Sequence, residues 1–312
     1  MNFKGCKDLV LYYSNIKYIR IIKINNHIKY YTMSFQQFVC LSGLPRTGST
    51  LLSAILSQNP KIHAEGNSAV SPLMWEMCQS VTNCREQLQA NHKEHLVQQL
   101  IAQIPHVYYH GIQESIVVDK CRSWTIETNL QLARICIDPN IKVIVLERPL
   151  LEIVASFAKL YRNNGFSGEE LEAKLLKLLE PDSEPIMRSL QGIQWAKKQT
   201  HTVSDLRSFK IGGFQPPYQK DSATFLFVQY HDLVTNPADT MAQIYAFCEW
   251  TRFEHDFKHV HAKYPENDAV YGLLGQHDVR SVVAKNTDDS YETILSKDII
   301  LKCQQIDRIT HL

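Results

Sequence analysis

Short apolar runs rich in β-branched residues alternate along the chain with longer segments in which apolar residues recur at helical spacing. The short runs predict strands at residues 38–42, 115–119, 141–147 and 224–229. Strands that alternate with helices in this way are typical of a parallel sheet covered on both faces. The pattern therefore predicts an α/β fold in which helices flank a central parallel sheet.

The helical segments are marked by their spacing and by their boundaries. Leu51, Leu52, Ile55 and Leu56 predict a helix that ends before Asn59-Pro60. Further helices are predicted at residues 84–103, 125–136, 149–161, 169–179, 184–200 and 237–250. Paired glycines and paired prolines in residues 212–220 predict a surface loop before the last strand.

The first 32 residues differ in composition from the rest, because residues 15–31 repeat Ile, Lys, Asn and Tyr. We interpret residues 1–32 as an N-terminal appendage and residues 33–312 as the main domain. Three interpretations of the appendage stay open: a β-rich arm, a disordered or non-native leader that precedes a start at Met33, and an ordinary first strand.

Composition and charge exclude several function classes. The chain has 312 residues and 44% hydrophobic content, enough for a large folded core, and its 33 Lys and Arg nearly balance 32 Asp and Glu. With a net charge of +1 it has no broad field for nucleic acid or an anionic membrane, so any anion site must be local. The eight cysteines form no C-x-x-C pair, which argues against a zinc cluster or disulfide framework. With no signal-peptide pattern and no run near the roughly 20 apolar residues of a membrane helix, we expect a cytoplasmic protein.

A glycine-bounded loop, Gly43-Leu-Pro-Arg-Thr-Gly-Ser-Thr50, connects the first predicted strand to the first helix. The P-loop of ATP and GTP enzymes has the same glycine spacing, but a lysine stands where this chain has Ser49. The loop still offers backbone N–H groups and two hydroxyls at a helix N terminus, whose dipole favours an anion. Because Arg46 adds a cation inside the loop, these features suit a donor with a shorter anionic chain, such as a phosphosulfate.

This loop resembles the 5′-phosphosulfate loop of sulfotransferases that use 3′-phosphoadenosine 5′-phosphosulfate (PAPS), in the Pro-Arg form of tyrosylprotein and many bacterial sulfotransferases. The resemblance runs from Phe38 to about Trp250, with a weaker continuation to Lys285. It implies a three-layer P-loop-type domain, PAPS as donor, adenosine 3′,5′-bisphosphate as product, and no metal. It also implies that the phosphosulfate is bound by the loop residues Pro45, Arg46, Thr47, Gly48, Ser49 and Thr50.

A second motif offers a holder for the ribose 3′-phosphate of such a donor. Arg148 ends a predicted strand, and Ser156 lies eight positions on, about two turns into the next helix. Arginine presents a planar fork to phosphate oxygens and serine adds a hydroxyl. The pair resembles the family's 3′-phosphate motif, except that Pro149 follows the arginine directly. On the residues alone, the alternative is that Arg148 only caps or forms an ion pair at the sheet edge and that Ser156 is a helix residue without a role.

Two cations are the candidates for charge stabilisation during transfer. Arg46 lies inside the anion loop and stays charged at any working pH. Lys120 follows a predicted strand and resembles the lysine that assists the leaving group in tyrosylprotein sulfotransferases. The alternative is a surface ion pair of Asp119 with Lys120 or Arg122.

The general base is less sharply indicated. Glu65 follows the first helix, where related enzymes have a catalytic glutamate, although counting from Arg46 points nearer to Asn67. His63, in the same predicted loop, competes because an imidazole titrates near neutrality.

Later residues complete the candidate donor contacts. Tyr230 ends a predicted strand that is similar to the family's late strand, and we expect it near the nucleotide. Residues 271–280 predict either a loop over the donor, with Arg280 and Lys285 in contact, or an ordinary turn. His255 and His259 have a spacing that suits a metal on a helix, but their charged neighbours favour a solvated helix face.

The sequence therefore predicts a sulfotransferase that acts on a hydroxyl or amine of a small-molecule, carbohydrate or peptide acceptor. Its rivals are a P-loop nucleotide kinase or NTPase and a degenerate nucleotide-binding module without turnover. No nucleic acid or membrane partner is expected, and neither the acceptor nor the oligomeric state is indicated.

Overall fold

A computed structural model describes residues 20–24, 27–31, 35–199, 224–284 and 290–310. Two N-terminal strands, β1 (Arg20–Ile24) and β2 (His27–Tyr31), pair antiparallel with each other in a sheet of their own. The predicted loop at 212–220, together with Met33 and Lys285, lies outside the described residues. Whether residue 32 marks a domain boundary stays a prediction.

The central sheet has five parallel strands in the order β4-β5-β3-β6-β7. The strands are β3 (Gln37–Gly43), β4 (Ile62–Asn67), β5 (Ile116–Lys120), β6 (Lys142–Glu147) and β7 (Phe225–Gln229). Four were predicted to within one residue. The edge strand β4 was missed and its residues were assigned to a loop, because it lacks the β-branched run that marks the other strands.

The described ranges contain twelve α-helices, of which the last four follow the final strand. They are α1 (Ser49–Leu56), α2 (Val70–Asn83), α3 (Arg85–Ala90), α4 (His95–Tyr108), α5 (Glu127–Cys136), α6 (Leu150–Asn163), α7 (Gly168–Leu178), α8 (Ser189–Gln199), α9 (Tyr230–Thr235), α10 (Pro237–Cys248), α11 (Tyr291–Ile294) and α12 (Lys297–Thr310). None of them is long and apolar enough to cross a membrane.

The single helix predicted at residues 84–103 is wrong, because the chain forms two helices there with a turn between them. His92 lies in this turn with a φ of 55°, a left-handed conformation that interrupts the helix. Two short helical turns, Arg122–Thr125 and Asp268–Tyr271, are of the 3₁₀ type.

The core consists of two apolar layers, one on each face of the sheet. Alternate residues of β3 enter different layers: Cys40 packs with the layer that includes Val143, while Val39 and Leu41 pack with the layer that includes Ile144. This alternation follows from the two-residue period of a strand. Helices cover both faces, so the predicted three-layer α/β architecture is confirmed.

Parallel strands bring their carboxyl ends to one edge of the sheet, and this edge collects the residues singled out in the sequence. The glycine-bounded loop follows β3, Asn67 and Lys120 end β4 and β5, Arg148 follows β6, and Tyr230 follows β7. Ligands of open α/β sheets bind at this edge. The fold therefore positions the candidate site residues next to one another.

Candidate active site

A cleft of about 660 Å³ opens at the carboxyl edge of the sheet. It is lined by six Arg and Lys residues and only three carboxylates, namely Arg46, Lys120, Arg122, Arg148, Lys159 and Arg280 against Glu152, Asp278 and Glu292. Since the whole chain carries a net charge of +1, the cleft concentrates positive charge that the composition conceals. Its electrostatics suit an anionic ligand.

The glycine-bounded loop forms one wall of the cleft and ends at the N terminus of α1. Gly48 has a φ of 89°, and a Cβ atom there would lie 2.8 Å from the ring of Tyr230, so the position requires glycine. No side chain caps the N terminus of α1. Ser49, Thr50 and Leu51 line the cleft at this uncapped end, where backbone N–H groups and the helix dipole favour an anion.

Arg46 reaches from the loop towards the opposite wall. Its backbone is in the left-handed region with a φ of 66°. Its Nε donates to Ser156 Oγ at 3.0 Å, and another guanidinium N–H donates to the carbonyl of Gln276. Burial and the nearby charge of Arg148 lower the pKa of Arg46. The two guanidinium groups therefore repel each other, and an anion between them would relieve the repulsion.

Arg148 is held in place from three sides. It donates to the backbone carbonyl of Arg46 at 2.9 Å and to Glu152 Oε2 at 3.0 Å. Its guanidinium carbon lies 4.2 Å from the centre of the Tyr230 ring, within the range of a cation–π contact. The structure thus brings together Arg46, Arg148, Ser156 and Tyr230, which the sequence proposed as donor contacts.

Lys120 lies at the floor of the cleft and is 5% exposed. Its ammonium donates to Thr50 Oγ1 at 3.1 Å and to Glu266 Oε1 at 3.2 Å. Burial lowers the pKa of Lys120, and the charge of Glu266 opposes that shift. The contact with Thr50 places this lysine beside the first turn of α1, next to the loop.

The alternative of a surface pair between Asp119 and Lys120 is wrong, because Asp119 is completely buried. Its carboxylate accepts hydrogen bonds from Ser68 Oγ at 2.5 Å, Tyr109 Oη at 2.8 Å and Trp124 Nε1 at 2.6 Å. These bonds fix the end of β5 and thereby the backbone that carries Lys120.

Of the two candidate positions for the general base on β4, Asn67 lines the cleft and Glu65 does not. Glu65 is not among the residues that line the cleft, and its Oε2 lies 3.2 Å from Nε2 of the buried His63. Asn67 lines the cleft. A shift in register between Ala64 and Asn67 interrupts the regular alternation of the strand. The position that sequence counting favoured over Glu65 therefore faces the cleft, but it carries an amide.

Two residues that the sequence did not indicate lie at or behind the floor of the cleft. Glu266 contacts Lys120, and its other carboxylate oxygen accepts from Asn67 Nδ2 at 3.3 Å. His277 lines the cleft, and its Nδ1 lies 2.5 Å from Asp268 Oδ1. No local pattern in the sequence indicates Glu266, which stands 146 positions from Lys120. His277 belongs to residues 271–280, for which the sequence predicts either a loop over the donor or an ordinary turn.

Arg280 lies at the cleft as the sequence predicts, whereas the helix predicted around His255 and His259 is not formed. Arg280 lines the cleft and is exposed. The segment around His255 and His259 is not helical, so the predicted helix face is wrong. His255 Nε2 lies 3.0 Å from the hydroxyl of Tyr245, and His259 Nδ1 lies 2.8 Å from Asp256. In the part of the chain that the structure describes, no three His, Cys, Asp or Glu residues form a group that could hold a metal.

Comparisons with known proteins agree with this picture. The profile described as "Sulfotransferase family" matches residues 39–255. The sulfotransferase domain of the Synechococcus PCC 7002 olefin synthase is 18% identical, with a TM-score of 0.50, and the match covers 86% of this chain and 93% of that domain. A sulfotransferase domain from the curacin biosynthetic pathway is also 18% identical, with a TM-score of 0.45 and coverage of 88% and 96%. For sulfotransferase STF9 from Mycobacterium avium the values are 14%, 0.37, 68% and 64%. The comparison with curated protein sequences found no match.

Proposed function

The chain belongs to the sulfotransferase family, and from this premise we propose that it transfers a sulfuryl group from PAPS to a hydroxyl or amine of an acceptor. One observation carries the choice of donor. Arg46 from the loop and Arg148 from the end of β6 line the same cleft, with Ser156 bound to Arg46, while the glycine-bounded loop lacks the lysine of a triphosphate P-loop. A donor with two separate anionic groups, one at the loop and one on the ribose, matches these two cations.

The residues of the cleft fit such a donor. Gly43 has no room for a side chain, since a Cβ atom there would lie 2.7 Å from the carbonyl of Leu146. Gly48 is closed off in the same way by Tyr230. Glycine at both positions therefore lets the loop pack closely against Leu146 and Tyr230. The excess of cations over carboxylates supplies the charge that a multiply anionic nucleotide requires.

We assign the donor contacts by chemistry. The N terminus of α1, with the hydroxyls of Ser49 and Thr50, would hold the phosphosulfate end together with Arg46. Arg148 and Ser156 would hold the ribose 3′-phosphate. The donor site would be completed by Tyr230, Arg280 and the remaining loop residues Pro45, Thr47 and Gly48. The Thr47 hydroxyl donates to the carbonyl of Leu44 at 2.7 Å, so Thr47 contributes by shaping the loop.

The protein contributes to the reaction mainly by positioning the donor and the acceptor and by stabilising the charge that develops during transfer. The bound donor supplies the sulfuryl group. Lys120 and Arg46 stabilise the negative charge that develops on the leaving phosphate, and Thr50 and Glu266 keep the Lys120 ammonium aimed at that place. Removing a stabilising contact of this kind typically lowers the rate by a factor on the order of 10² to 10³. Arg46→Ala is therefore expected to slow transfer by about that factor.

Calorimetry and a transfer assay test the proposal. Adenosine 3′,5′-bisphosphate should bind more tightly than ATP with Mg²⁺, because the loop has no lysine for a γ-phosphate. Labelled sulfate should then pass from PAPS to at least one member of a panel of alcohols, phenols, amines, sugars and tyrosine peptides. Tighter binding of ATP would indicate a kinase or NTPase. Bisphosphate binding without any transfer at saturating PAPS would indicate a binding module.

A further inference from the structure

The acceptor in a sulfuryl transfer must lose a proton, and the base expected from the sequence is not in the cleft. Glu65 is paired with His63 outside it. Asn67 faces the cleft, but an amide cannot take up a proton at neutral pH. A base supplied by another part of the chain is therefore required.

The segment after α10 brings a histidine and an aspartate to the same floor. Asp268 binds His277 twice, since its Oδ1 lies 2.5 Å from Nδ1 of the imidazole and its Oδ2 accepts the His277 backbone N–H at 3.0 Å. The His277 side chain is 8% exposed, and it lines the cleft. An aspartate bound to one ring nitrogen fixes the tautomer and the orientation of the imidazole.

The second ring nitrogen is arranged as a proton acceptor. The amide nitrogen of Asn67 lies 3.2 Å from His277 Nε2, and that of Gln276 lies 3.4 Å from it. Amide N–H groups can only donate, so with Nδ1–H bound to Asp268 the neutral ring presents an unprotonated Nε2. Glu266 Oε1, at 3.5 Å, provides a partner for Nε2 once it is protonated. The surroundings thus accommodate both protonation states of the ring.

This histidine is connected to the proposed donor loop through shared contacts. Glu266 Oε1 lies 3.2 Å from the Lys120 ammonium and 3.5 Å from His277 Nε2. Lys120 in turn contacts Thr50 on the first turn of α1. A group that leaves the donor at Lys120 and a group that loses a proton at His277 would therefore be neighbours.

We propose that His277 is the general base of the transfer and that Asp268 is its positioning residue; this inference rests on the proposed function. His277 Nε2 takes the proton as the acceptor O–H bond breaks. The acceptor oxygen forms a bond to sulfur, while the bond between sulfur and the bridging phosphate oxygen breaks and its electron pair stays on the phosphate. The imidazolium, flanked by Asp268 and Glu266, then returns the proton to water.

Glu266 is the competing base, and its contacts argue against it. Its carboxylate accepts from Lys120, Asn67 and Tyr271. Although burial raises its pKa, the charge of Lys120 and the hydrogen bonds from Lys120 and the Asn67 backbone outweigh burial and lower it. A carboxylate with so many donors is a weak proton acceptor. Glu266 is also absent from the residues that line the cleft.

The test compares four variants with PAPS and three acceptors: benzyl alcohol, phenol and 4-nitrophenol. His277→Gln should lower kcat for benzyl alcohol and phenol by about 10² to 10⁴-fold, the usual contribution of a general base. Its affinity for adenosine 3′,5′-bisphosphate should stay within about twofold of the wild type, since a base for the acceptor does not bind the donor. With 4-nitrophenol, which ionises readily, the loss should be less than about tenfold. Asp268→Asn should show the same acceptor dependence with a smaller loss.

His259→Gln is the matched control, because His259 has the same kind of aspartate partner, Asp256, on an exposed part of the surface. It should leave all rates unchanged. Glu266→Gln distinguishes the two candidate bases. If the loss of kcat depended on the acidity of the acceptor in Glu266→Gln but not in His277→Gln, the assignment of His277 would be overturned. Equal losses with all three acceptors in His277→Gln would also overturn it, since they would indicate a structural role.

A spectroscopic measurement tests the geometry without an acceptor. Long-range ¹H–¹⁵N spectra of the histidine-labelled protein, assigned with His277→Gln, should show the Nδ1–H tautomer for the neutral ring, and Asp268→Asn should reduce its population. A predominant Nε2–H tautomer would overturn the inference.

If the wild type neither binds the bisphosphate nor transfers sulfate to any acceptor, the proposed function fails and the inference fails with it. If the wild type transfers sulfate and His277→Gln does so equally well, only the inference fails.

Discussion

At the scale of single residues, Arg148 decides whether the cleft distinguishes a nucleotide with a 3′-phosphate from one without. Arg148→Ala should weaken binding of adenosine 3′,5′-bisphosphate by about 10- to 100-fold, since a hydrogen bond to a charged group contributes roughly 1.5–3 kcal/mol. Adenosine 5′-phosphosulfate lacks that phosphate and should be affected less than about threefold. Calorimetric titration of both ligands measures the difference.

The control for this variant is Arg188→Ala, which removes another arginine paired with a glutamate four positions away but does not line the cleft. It should change neither affinity. Equal losses of both ligands in Arg148→Ala would remove Arg148 from recognition of the ribose phosphate and leave it the role of supporting Tyr230.

Gly48 offers a second test at this scale, and Gly165 is its matched control. Both have a φ of 89°, but an added Cβ would lie 2.8 Å from the Tyr230 ring at Gly48 and would have no atom within 4 Å at Gly165. Gly165→Ala should lower the free energy of unfolding by only about 1 kcal/mol, the cost of a left-handed alanine. Gly48→Ala should lower it further and weaken the bisphosphate, because a displaced Tyr230 ring also displaces the Arg148 stacked on it.

Urea unfolding and calorimetry measure both effects. Identical stability losses in the two variants, with bisphosphate affinity unchanged, would show that the contact between Gly48 and Tyr230 does not shape the site.

The residues that sequence reasoning located are those whose neighbours are fixed by local geometry. Arg46 is placed by a loop between a strand and a helix, and Ser156 follows Arg148 by two helical turns, so spacing alone indicates that they converge. Glu266 and His277 lie in the long segment after α10, in which the 3₁₀ turn Asp268–Tyr271 is the only regular element among the described residues. No period or motif in that segment predicts which side chains meet Lys120, and only the folded chain reveals them.

At the scale of elements, Asp119 is the junction where four pieces of the fold meet. Its carboxylate binds Ser68 after β4, Tyr109 after α4 and Trp124 in the 3₁₀ turn that follows β5. Its burial also explains why the sequence interpretation failed here. An aspartate next to a lysine at a strand end has the pattern of a surface ion pair, and nothing local reveals that three donors surround it.

The protonation of Asp119 gives a pH-dependent prediction. Burial raises its pKa from 3.8 to about 6, despite the three hydrogen bonds that favour the carboxylate. Its titration therefore contributes stability that is fully present below about pH 4 and is lost as the pH rises through about 6. Asp119→Asn lacks this contribution and makes poorer hydrogen bonds. The difference in unfolding free energy between wild type and variant should therefore be larger at pH 4 than at pH 7, by about 2 kcal/mol.

Urea unfolding at the two pH values, with equal m values for both proteins, measures that difference. A larger difference at pH 7 would mean that the donors from Ser68, Tyr109 and Trp124 outweigh burial and hold the pKa below its ordinary value.

Among the strands, the four with β-branched apolar runs were predicted and the edge strand β4 was not. Residues 63–68 were predicted to form a loop, so the shift in register after Ala64 was not predicted either. This matters for function. A bulged strand changes which side chains reach the cleft. The choice between Glu65 and Asn67 therefore depended on a feature that hydrophobic pattern does not record.

At the scale of the whole molecule, the near-zero net charge results from opposite charges in different places. The cleft carries an excess of cations, while the remaining surface balances it. The near balance of charges in the composition argues against a broad basic surface, so any anion site is expected to be local. The charged cleft is compatible with that expectation. It could not locate the site, because the lining residues come from positions 41 to 294 and meet only in the folded chain.

This distribution predicts how ligand binding depends on ionic strength. The charges that attract the bisphosphate lie in an open cleft, so they are screened when the Debye length falls from about 10 Å at 0.1 M salt to about 3 Å at 1 M. Bisphosphate affinity should therefore fall by about tenfold or more over that range, and the increase in unfolding temperature that a fixed bisphosphate concentration produces should shrink with it. Adenosine, which is uncharged, should show no such loss. If the affinity for the bisphosphate were independent of salt, direct hydrogen bonds rather than the field of the cleft would account for binding, and the excess of cations would have no role in attracting the donor.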